Sequence, residues 1–412
     1  MTFRPIDLDP LVIVLVGKPA RGKTHTARRL SRYLTWLGYD ARVFNVGAYR
    51  RERLGAGHDA AFFDPENTEG LAARRAMARL ALDDMLAWMR RGGEVALYDA
   101  TNSTRRRRRW IAEAVRREGR ELLFVELQCE DDAMIDANVR ETKLSSPDYE
   151  GRSPDEALAD FRARIRHYER IYEPVLPSEG SFLRIHDAGR RVELHAVAGW
   201  LSGRIVTFLL NVHLHRRPLY LTRHGESSFN PHERIGGDPE LTPRGEAFAD
   251  RLAAWLTETH PPGEPVAVWT STLRRTLQTA AALDRPARPW RLLDEIDAGV
   301  CDGLRYADIA DRLPDEHAAR AHDKLRYRYP RGESYEDVIA RLEPVILELE
   351  RQQHPVLIVG HQAVLRALLA YFTDRPRADV PHLKMPLHTI QRLYPQAYGC
   401  AQTEIPLGPK VG

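Results

Sequence analysis

Cysteine is scarce in this sequence: Cys129, Cys301 and Cys400 are the only three in 412 residues. An odd, widely spaced set suits neither a disulfide framework nor a cysteine metal site, and it fits a reducing compartment. Long apolar runs are missing as well. The longest, Leu11 to Val16, has six residues, far short of the ~20 that a membrane helix needs. It also lacks the basic region and small-residue cleavage site of a signal peptide. A soluble, cytoplasmic chain with no membrane partner is expected. Nor does one sign of charge prevail: 61 Lys and Arg face 58 Asp and Glu, which leaves no strong field to steer the chain toward nucleic acid. Anions must be recognised locally.

What is present is alternation. The length allows two or three domains. Up to about residue 190, β-rich runs, LVIVLV (11 to 16), ARVFNV (41 to 46), EVALYDA (94 to 100), ELLFVEL (121 to 127) and SFLRIHD (181 to 187), are separated by segments of helical periodicity. One such segment, Thr24 to Leu37, repeats Ala27, Leu30, Leu34 and Leu37 before Gly38 as its stop. The pattern predicts an α/β fold with a mostly parallel sheet covered on both faces. A last helix is expected over Val192 to Leu210. The alternation then restarts at PLYLTRHGE, so the boundary is placed near Arg216, dividing the chain into domains 1–215 and 216–412. In the second domain, a helix from Thr242 with Pro243 at its first position is followed by a strand at PVAVWTS (265 to 271) and a helix over Leu273 to Leu283. A strand at PVLIVGH (355 to 361) and a helix over Gln362 to Phe372 complete it. The polar text from 284 to 335 reads as loops with short helices over a site.

Gly17 to Thr24, GKPARGKT, fits GxxxxGK[ST] between a strand and a helix. Amides of Gly17, Ala20, Arg21, Gly22, Lys23 and Thr24 in such a loop meet the positive end of the following helix, which makes a phosphate cradle. Lys23 would bridge the β- and γ-phosphates of ATP, and the Thr24 hydroxyl would hold Mg²⁺. Asp99, closing EVALYD, is the acidic partner at a neighbouring strand end; metal ligand and general base are both open to it. Arginines 50, 51, 74, 107, 140 and 164 are scattered over several segments, whereas RRRRR (105 to 109) directly follows Asp99-Ala-Thr-Asn. That run suits nucleic acid by composition, or a sugar phosphate by its place at a helix start.

The second domain puts Arg223 and His224 at the end of one strand, Gly360 and His361 at the end of another, Arg275 after a third, and Glu295 in LDEIDAG. Such residues at the carboxyl ends of strands form a phosphoryl-transfer constellation. A neutral imidazole attacks phosphorus; Arg223, Arg275 and His361 stabilise the equatorial oxygens; Glu295 protonates the leaving alkoxide and later activates water. This chemistry requires no metal.

With both halves in view, the chain resembles the bifunctional 6-phosphofructo-2-kinase/fructose-2,6-bisphosphatase family over residues 11 to about 400. The resemblance is carried by GKPARGKT, RYLTWLGYDARVFNVGAYRR, FDPENTEGLAARR, DATNSTRRRRR, KLSSPDYEGR, RHGESSFN, RIGGDPELTPRG, EIDAGVCDGLRY, KLRYRYPRGESYEDV and HQAVLRALLAYF. It implies a P-loop kinase domain making fructose 2,6-bisphosphate from MgATP and fructose 6-phosphate, and a phosphoglycerate mutase-like histidine phosphatase domain that removes the 2-phosphate without a cofactor. By position, Arg50, Arg74, Thr101, Arg107, Lys143, Arg164 and Tyr168 match the family's fructose 6-phosphate contacts. Asn138 and Lys143 match the segment over ATP, and Cys129 matches a cysteine near the kinase site that is equally well a buried strand-end thiol. His224, Glu295 and His361 match the phosphorylated histidine, the proton donor and the second histidine. Arg223, Asn230, Gly236, Arg275, Tyr306, Arg320, Lys324, Tyr335, Gln362 and Arg366 match the bisphosphate contacts. Lys18 and His25 depart from the family's usual apolar residue and Tyr. The resemblance further implies a homodimer, and the short extensions imply no tail-based phosphorylation switch. A nucleic-acid end-healing kinase/phosphatase and a phosphoglycerate-directed second domain are the rival readings.

Overall fold

The computed structural model describes residues 10–142, 147–212, 217–396 and 399–408. The chain divides into two compact units, Met1–Leu210 and Asn211–Gly412; the boundary expected near Arg216 falls outside the described residues.

The first unit is built on six strands: β1 (Leu11–Val16), β2 (Ala41–Asn45), β3 (Val95–Asp99), β4 (Glu121–Gln128), β5 (Phe182–His186) and β6 (Arg191–His195). They lie in the order β2-β3-β1-β4-β5-β6, parallel except for β6, which runs antiparallel to β5. Every residue of β1 is buried, which explains why it reads as a continuous apolar run. On one face Val12, Val14 and Val16 pack with Met85, Tyr98, Ile111 and Phe124. The chain reverses order at β1, with β3 on one side and β4 on the other, and that switch point opens a crevice at the carboxyl ends. The helix Lys23–Leu37 starts there, between Gly22 and Gly38, both left-handed.

The expected helix over Val192 to Leu210 is corrected: Arg191–His195 is the edge strand β6, and the helix spans Trp200–Asn211. Alternation in R-V-E-L-H has a period of two, which the apolar content of the following segment masked.

The second unit has β7 (Leu219–Arg223), β8 (Ala267–Thr270), β9 (Ala287–Pro289), β10 (Val356–Gly360), β11 (Thr389–Pro395) and β12 (Cys400–Pro406). Their order is β12-β11-β7-β10-β8-β9, with the β7, β10, β8 and β9 neighbours parallel and the β11 and β12 pairings antiparallel. Tyr220, Phe248, Leu252, Val268, Leu357 and Ile390 join the sheet to its helices. β9, β11 and β12 are strands that sequence patterning did not foresee. The helices Pro243–Thr259, capped by the Thr242 hydroxyl, and Gln362–Thr373 lie where periodicity put them. Among the described residues no helix is long and apolar enough to cross a membrane.

Within RRRRR the five arginines separate by environment. Arg108 is fully buried; it pairs Glu179 through two 2.8 Å bonds and donates to the carbonyls of Asn102, Glu173 and Pro174. Arg105, Arg106 and Arg109 are exposed. Removing one partner of a buried ion pair costs about 3–5 kcal/mol, whereas an exposed substitution stays within about 0.5 kcal/mol. Arg108→Leu is therefore expected to lower the urea midpoint of the amino-terminal unit sharply, and Arg106→Ala to leave it unchanged.

Candidate functional sites

In the first unit the cradle is set by close backbone approach. Gly17 has φ +144°, and a Cβ there would stand 2.4 Å from the Leu127 carbonyl oxygen; no other residue fits. Its N–H donates to Thr101 O at 3.0 Å, and Asn102 Nδ2 donates to Leu15 O at 2.7 Å, so the segment after β3 holds the loop after β1. Lys23 is buried and donates to Lys18 O at 2.6 Å, folding its ammonium back over the loop. Arg21 donates to Cys129 O at 2.8 Å, and Asn138 donates to Ala20 O at 3.2 Å. Cys129 joins Ala20, Ile135 and Val139 in a small apolar cluster, and burial pushes its thiol up, toward the protonated form.

Parallel register sets Asp99 opposite Leu15 and Asn45. Asn45 Nδ2 donates to Asp99 Oδ2, and lies 3.4 Å from Thr24 Oγ1. Asn45 thus links the two residues proposed for Mg²⁺, while its Oδ1 caps the helix Val46–Leu54 through Ala48 N–H. Sequence reasoning missed it; its place at the end of a strand, before a helix, was the available signal.

Three of the scattered arginines converge on one ring. The guanidinium carbons of Arg164, Arg50 and Arg74 lie 3.5, 5.3 and 6.0 Å from the centroid of buried Phe63, which clusters the cations without a carboxylate for each. Arg50 pairs with buried Asp148. Tyr168 lies beside them: burial alone would raise its hydroxyl, but Arg164 and Arg74 outweigh burial and hold it below the ordinary phenol value. Arg107 donates to Tyr98 OH at 3.1 Å and stands over Trp110. Thr101 is half-buried in the same strand-end loop. Lys143 lies outside the described residues.

In the second unit β7 and β10 are paired Gly360 to Arg223, which brings His224 and His361 to adjacent strand ends with ring centroids 5.2 Å apart. His224 Nδ1 stands 2.7 Å from Gly225 O. A carbonyl only accepts, so Nδ1 carries the proton and Nε2 keeps the lone pair. Burial first, then Arg275 and Arg223, push His224 well below the ordinary imidazole value. Gly225 N–H donates to Thr279 Oγ1 at 2.9 Å, and a Cβ on Gly225 would meet Gly245 O at 2.4 Å, so the loop bearing His224 is pinned.

The cavity above His224 has a volume of about 360 Å³. Arg223, Arg275, Arg320 and Arg366 line it, with Glu295, Tyr306, Tyr335, Asn230, Gly236 and Gln362. Arg275 donates to Gly237 O at 2.7 Å and Arg223 to Met385 O at 3.2 Å; burial lowers Arg223 to about 10. Arg366 donates to Tyr335 OH, and Arg320 to Tyr329 OH and Tyr306 OH. Lys324 donates to Pro381 O at 3.0 Å; burial, with Arg320 and Arg366 nearby, lowers it to about 8. Glu295 accepts from the N–H groups of Ile296, Gln362 and Ala363, which fixes its carboxylate at a helix amino end. Arg341, which no motif singled out, donates to Glu295 O at 3.2 Å while paired with Glu333. Tyr329 and Phe229 are further lining residues not foreseen.

Residues 2–216 match the family model for 6-phosphofructo-2-kinase, and residues 219–405 that for the histidine phosphatase superfamily, branch 1. The chain is 50% identical over 387 residues to a 6-phosphofructo-2-kinase/fructose-2,6-bisphosphatase of Arabidopsis thaliana, covering 92% of this chain and 52% of that protein. It thus spans about half the length of the plant relative. It is 48% identical to 6-phosphofructo-2-kinase/fructose-2,6-bisphosphatase 4 of Rattus norvegicus, over 95% of this chain and 84% of that one, and 47% identical to the Caenorhabditis elegans protein, over 96% and 88%. The chain belongs to the 6-phosphofructo-2-kinase/fructose-2,6-bisphosphatase family, with a kinase domain followed by a histidine phosphatase domain.

Proposed function

We propose that the first unit transfers the γ-phosphoryl group of ATP to O2 of fructose 6-phosphate and that the second hydrolyses the resulting 2-phosphate through a phosphohistidine. The observation that carries this reading is the second cavity: five arginines, Arg234 among them, around one small space beside a histidine pair suit a doubly phosphorylated sugar better than a monophosphate. In the first unit Thr101 joins the P-loop to the arginine cluster, its carbonyl accepting from Gly17 N–H and its hydroxyl meeting Tyr168 beside Arg74 and Arg164. A nucleotide cradle thus adjoins an anion site. The assignment extends to a cytoplasmic homodimer, as the family resemblance implies.

In the kinase unit the loop amides and Lys23 hold the phosphates, and Arg50, Arg74 and Arg164 hold the sugar phosphate. The oxygen donors Thr24 Oγ1 and Asp99 Oδ2, both reached by Asn45, fit Mg²⁺, a hard cation that keeps few protein ligands. When bound it would neutralise phosphoryl charge. Their joint tie to Asn45 favours Asp99 as a metal ligand over a base.

In the phosphatase unit His224 Nε2 attacks phosphorus while the O2 leaving group takes a proton from Glu295. Arg223 and Arg275 face the equatorial oxygens, and Glu295 then takes a proton from the water that cleaves the phosphohistidine.

Given MgATP and fructose 6-phosphate, the His224→Ala chain is expected to accumulate an acid-labile bisphosphate and to form no phosphoenzyme. Wild type should form the phosphoenzyme and accumulate less; equal behaviour of the two chains overturns the assignment. Lys23→Ala should lower kinase kcat by about 10²–10³ and leave phosphatase turnover intact. The pH dependence has a definite sign. A base whose pKa is lowered stays neutral further into acid, so phosphoenzyme formation should show no loss from His224 as pH falls through 6.5, the ordinary imidazole value. Incorporation of labelled phosphate against pH checks it.

A further inference from the structure

His361 is fully buried, and its two ring nitrogens have different surroundings. Nε2 lies 2.7 Å from Ser271 Oγ, whereas Nδ1 is buried with no hydrogen-bond partner among the described residues. Counting protons narrows which nitrogen is protonated. Thr276 Oγ1 has one proton and stands 2.8 Å from Leu273 O and 3.2 Å from Ser271 O. Both carbonyls only accept, whereas the Ser271 hydroxyl has a proton of its own to give, so the assignment places the Thr276 proton on Leu273 O. The 2.8 Å contact between Ser271 and Thr276 hydroxyls must then use the proton of Ser271. One lone pair of Ser271 Oγ already receives Leu273 N–H at 3.1 Å. Its remaining lone pair can only accept, and the donor is His361 Nε2–H.

We infer that Ser271 is a positioning residue of the phosphatase site: by accepting Nε2–H it fixes His361 as the tautomer whose Nδ1 lone pair is the ring's single proton-exchanging position. The inference rests on the phosphatase reading above. His361 and His224 are thereby held as opposite tautomers, one with Nδ1 bare, the other with Nε2 bare.

This arrangement couples a proton to the anion. A bare Nδ1 lone pair repels a phosphoryl oxygen unless a proton lies between them. A phosphomonoester entering as the monoanion brings one: the P–O–H bond breaks, an Nδ1–H bond forms, and total charge is unchanged. The imidazolium then donates at both nitrogens, to Ser271 Oγ and to the phosphoryl oxygen. The groups facing His361 are Arg223 and His224 at the end of β7, Arg275 from its helix, and Arg341; Glu295 accepts from the N–H groups of the two residues that follow His361. Burial first, then these cations, keep the ring neutral until an anion arrives.

The test uses the full chain. In ¹⁵N-histidine-labelled wild type, with the His361 signals identified by their loss in His361→Gln, Nε2 is expected protonated and Nδ1 unprotonated without phosphate, and both protonated when inorganic phosphate is bound. Ser271→Ala should lower phosphatase kcat by on the order of 10- to 100-fold, the range known for the orienting partners of metal-bound histidines. It should also alter the pH profile of kcat and leave KM little changed, and Ser271→Thr should restore turnover. An unprotonated Nε2 in wild type, or a Ser271→Ala chain with the wild-type pH profile and kcat, overturns the inference. The ring-nitrogen spectra decide even if Ser271→Ala does not fold. A His224→Ala chain that still forms a phosphoenzyme instead overturns the phosphatase reading and this inference with it, a result distinct from either failure above.

Discussion

Taking cations out of water is the cost around which both units are built. Lys23, Arg21, Arg50, Arg223 and Arg275 are all buried or nearly so, and an ion taken out of water is penalised by several kcal/mol unless its donors are satisfied. In most of these positions the resting partner is a main-chain carbonyl. Lys23 rests on Lys18 O, Arg21 on Cys129 O, Arg223 on Met385 O, Arg275 on Gly237 O and Arg366 on Leu383 O. A neutral carbonyl satisfies the N–H geometrically yet attracts it less than a phosphate oxygen does, because the phosphate adds a net opposite charge for the cation to meet. The sites are therefore kept ordered by acceptors that a phosphoryl group can outcompete. Arg50 differs, since Asp148 neutralises it, which leaves Arg74 and Arg164 as the less compensated cations near Phe63.

The carbonyls come from loops, and the loops are fixed by the sheets. Each unit reverses strand order near its centre, and the residues that matter leave from the carboxyl ends of neighbouring parallel strands. Gly17 and Gly225 show how tightly the loops are held, for each has a backbone carbonyl where a Cβ would stand. Such contacts tie the loop after β1 to the end of β4, and the loop after β7 to the start of the next helix. Position is thus inherited from the sheet rather than from loop flexibility, which suits groups that must meet one phosphorus atom within fractions of an ångström.

Most of this frame was legible in the residues. β1 reads as a strand because both its faces are buried, and the helices at Lys23, Pro243 and Gln362 announce themselves by periodicity and by the Thr242–Pro243 start. Among the chemistry-bearing residues, Lys23, His224 and Glu295 were singled out by their motifs, and the fold places Lys23 in the loop after β1 and the other two at the second cavity. What escaped has a common reason. The edge strands β6, β9, β11 and β12 carry weak patterns, so their pairing is decided by neighbours distant in sequence. Asn45 carried a local signal as the cap of the helix that follows it, whereas Arg341 and Ser271 act through other groups and nothing local marks that role. Composition alone does not separate the five arginines of RRRRR, while the fold buries Arg108, turns Arg107 toward Tyr98 and leaves three in solvent.

Opposed chemistries need separate pockets because they ask for opposite electrostatics. In the proposed reading, transfer from a nucleotide is served by the oxygen donors Asp99 and Thr24, which suit a hard divalent cation; a carboxylate in that position would suppress an imidazole nucleophile by favouring its protonated form. The phosphatase pocket does the reverse. Arg223 and Arg275 line the cavity, where the proposed reading has them hold the phosphoryl oxygens, and these cations, together with burial, push His224 and His361 well below the ordinary imidazole value. One set of charges therefore prepares both the electrophile and the nucleophile. The carboxylate assigned to proton transfer there, Glu295, is held by three backbone N–H groups, which fix the position of its oxygens beside the cavity.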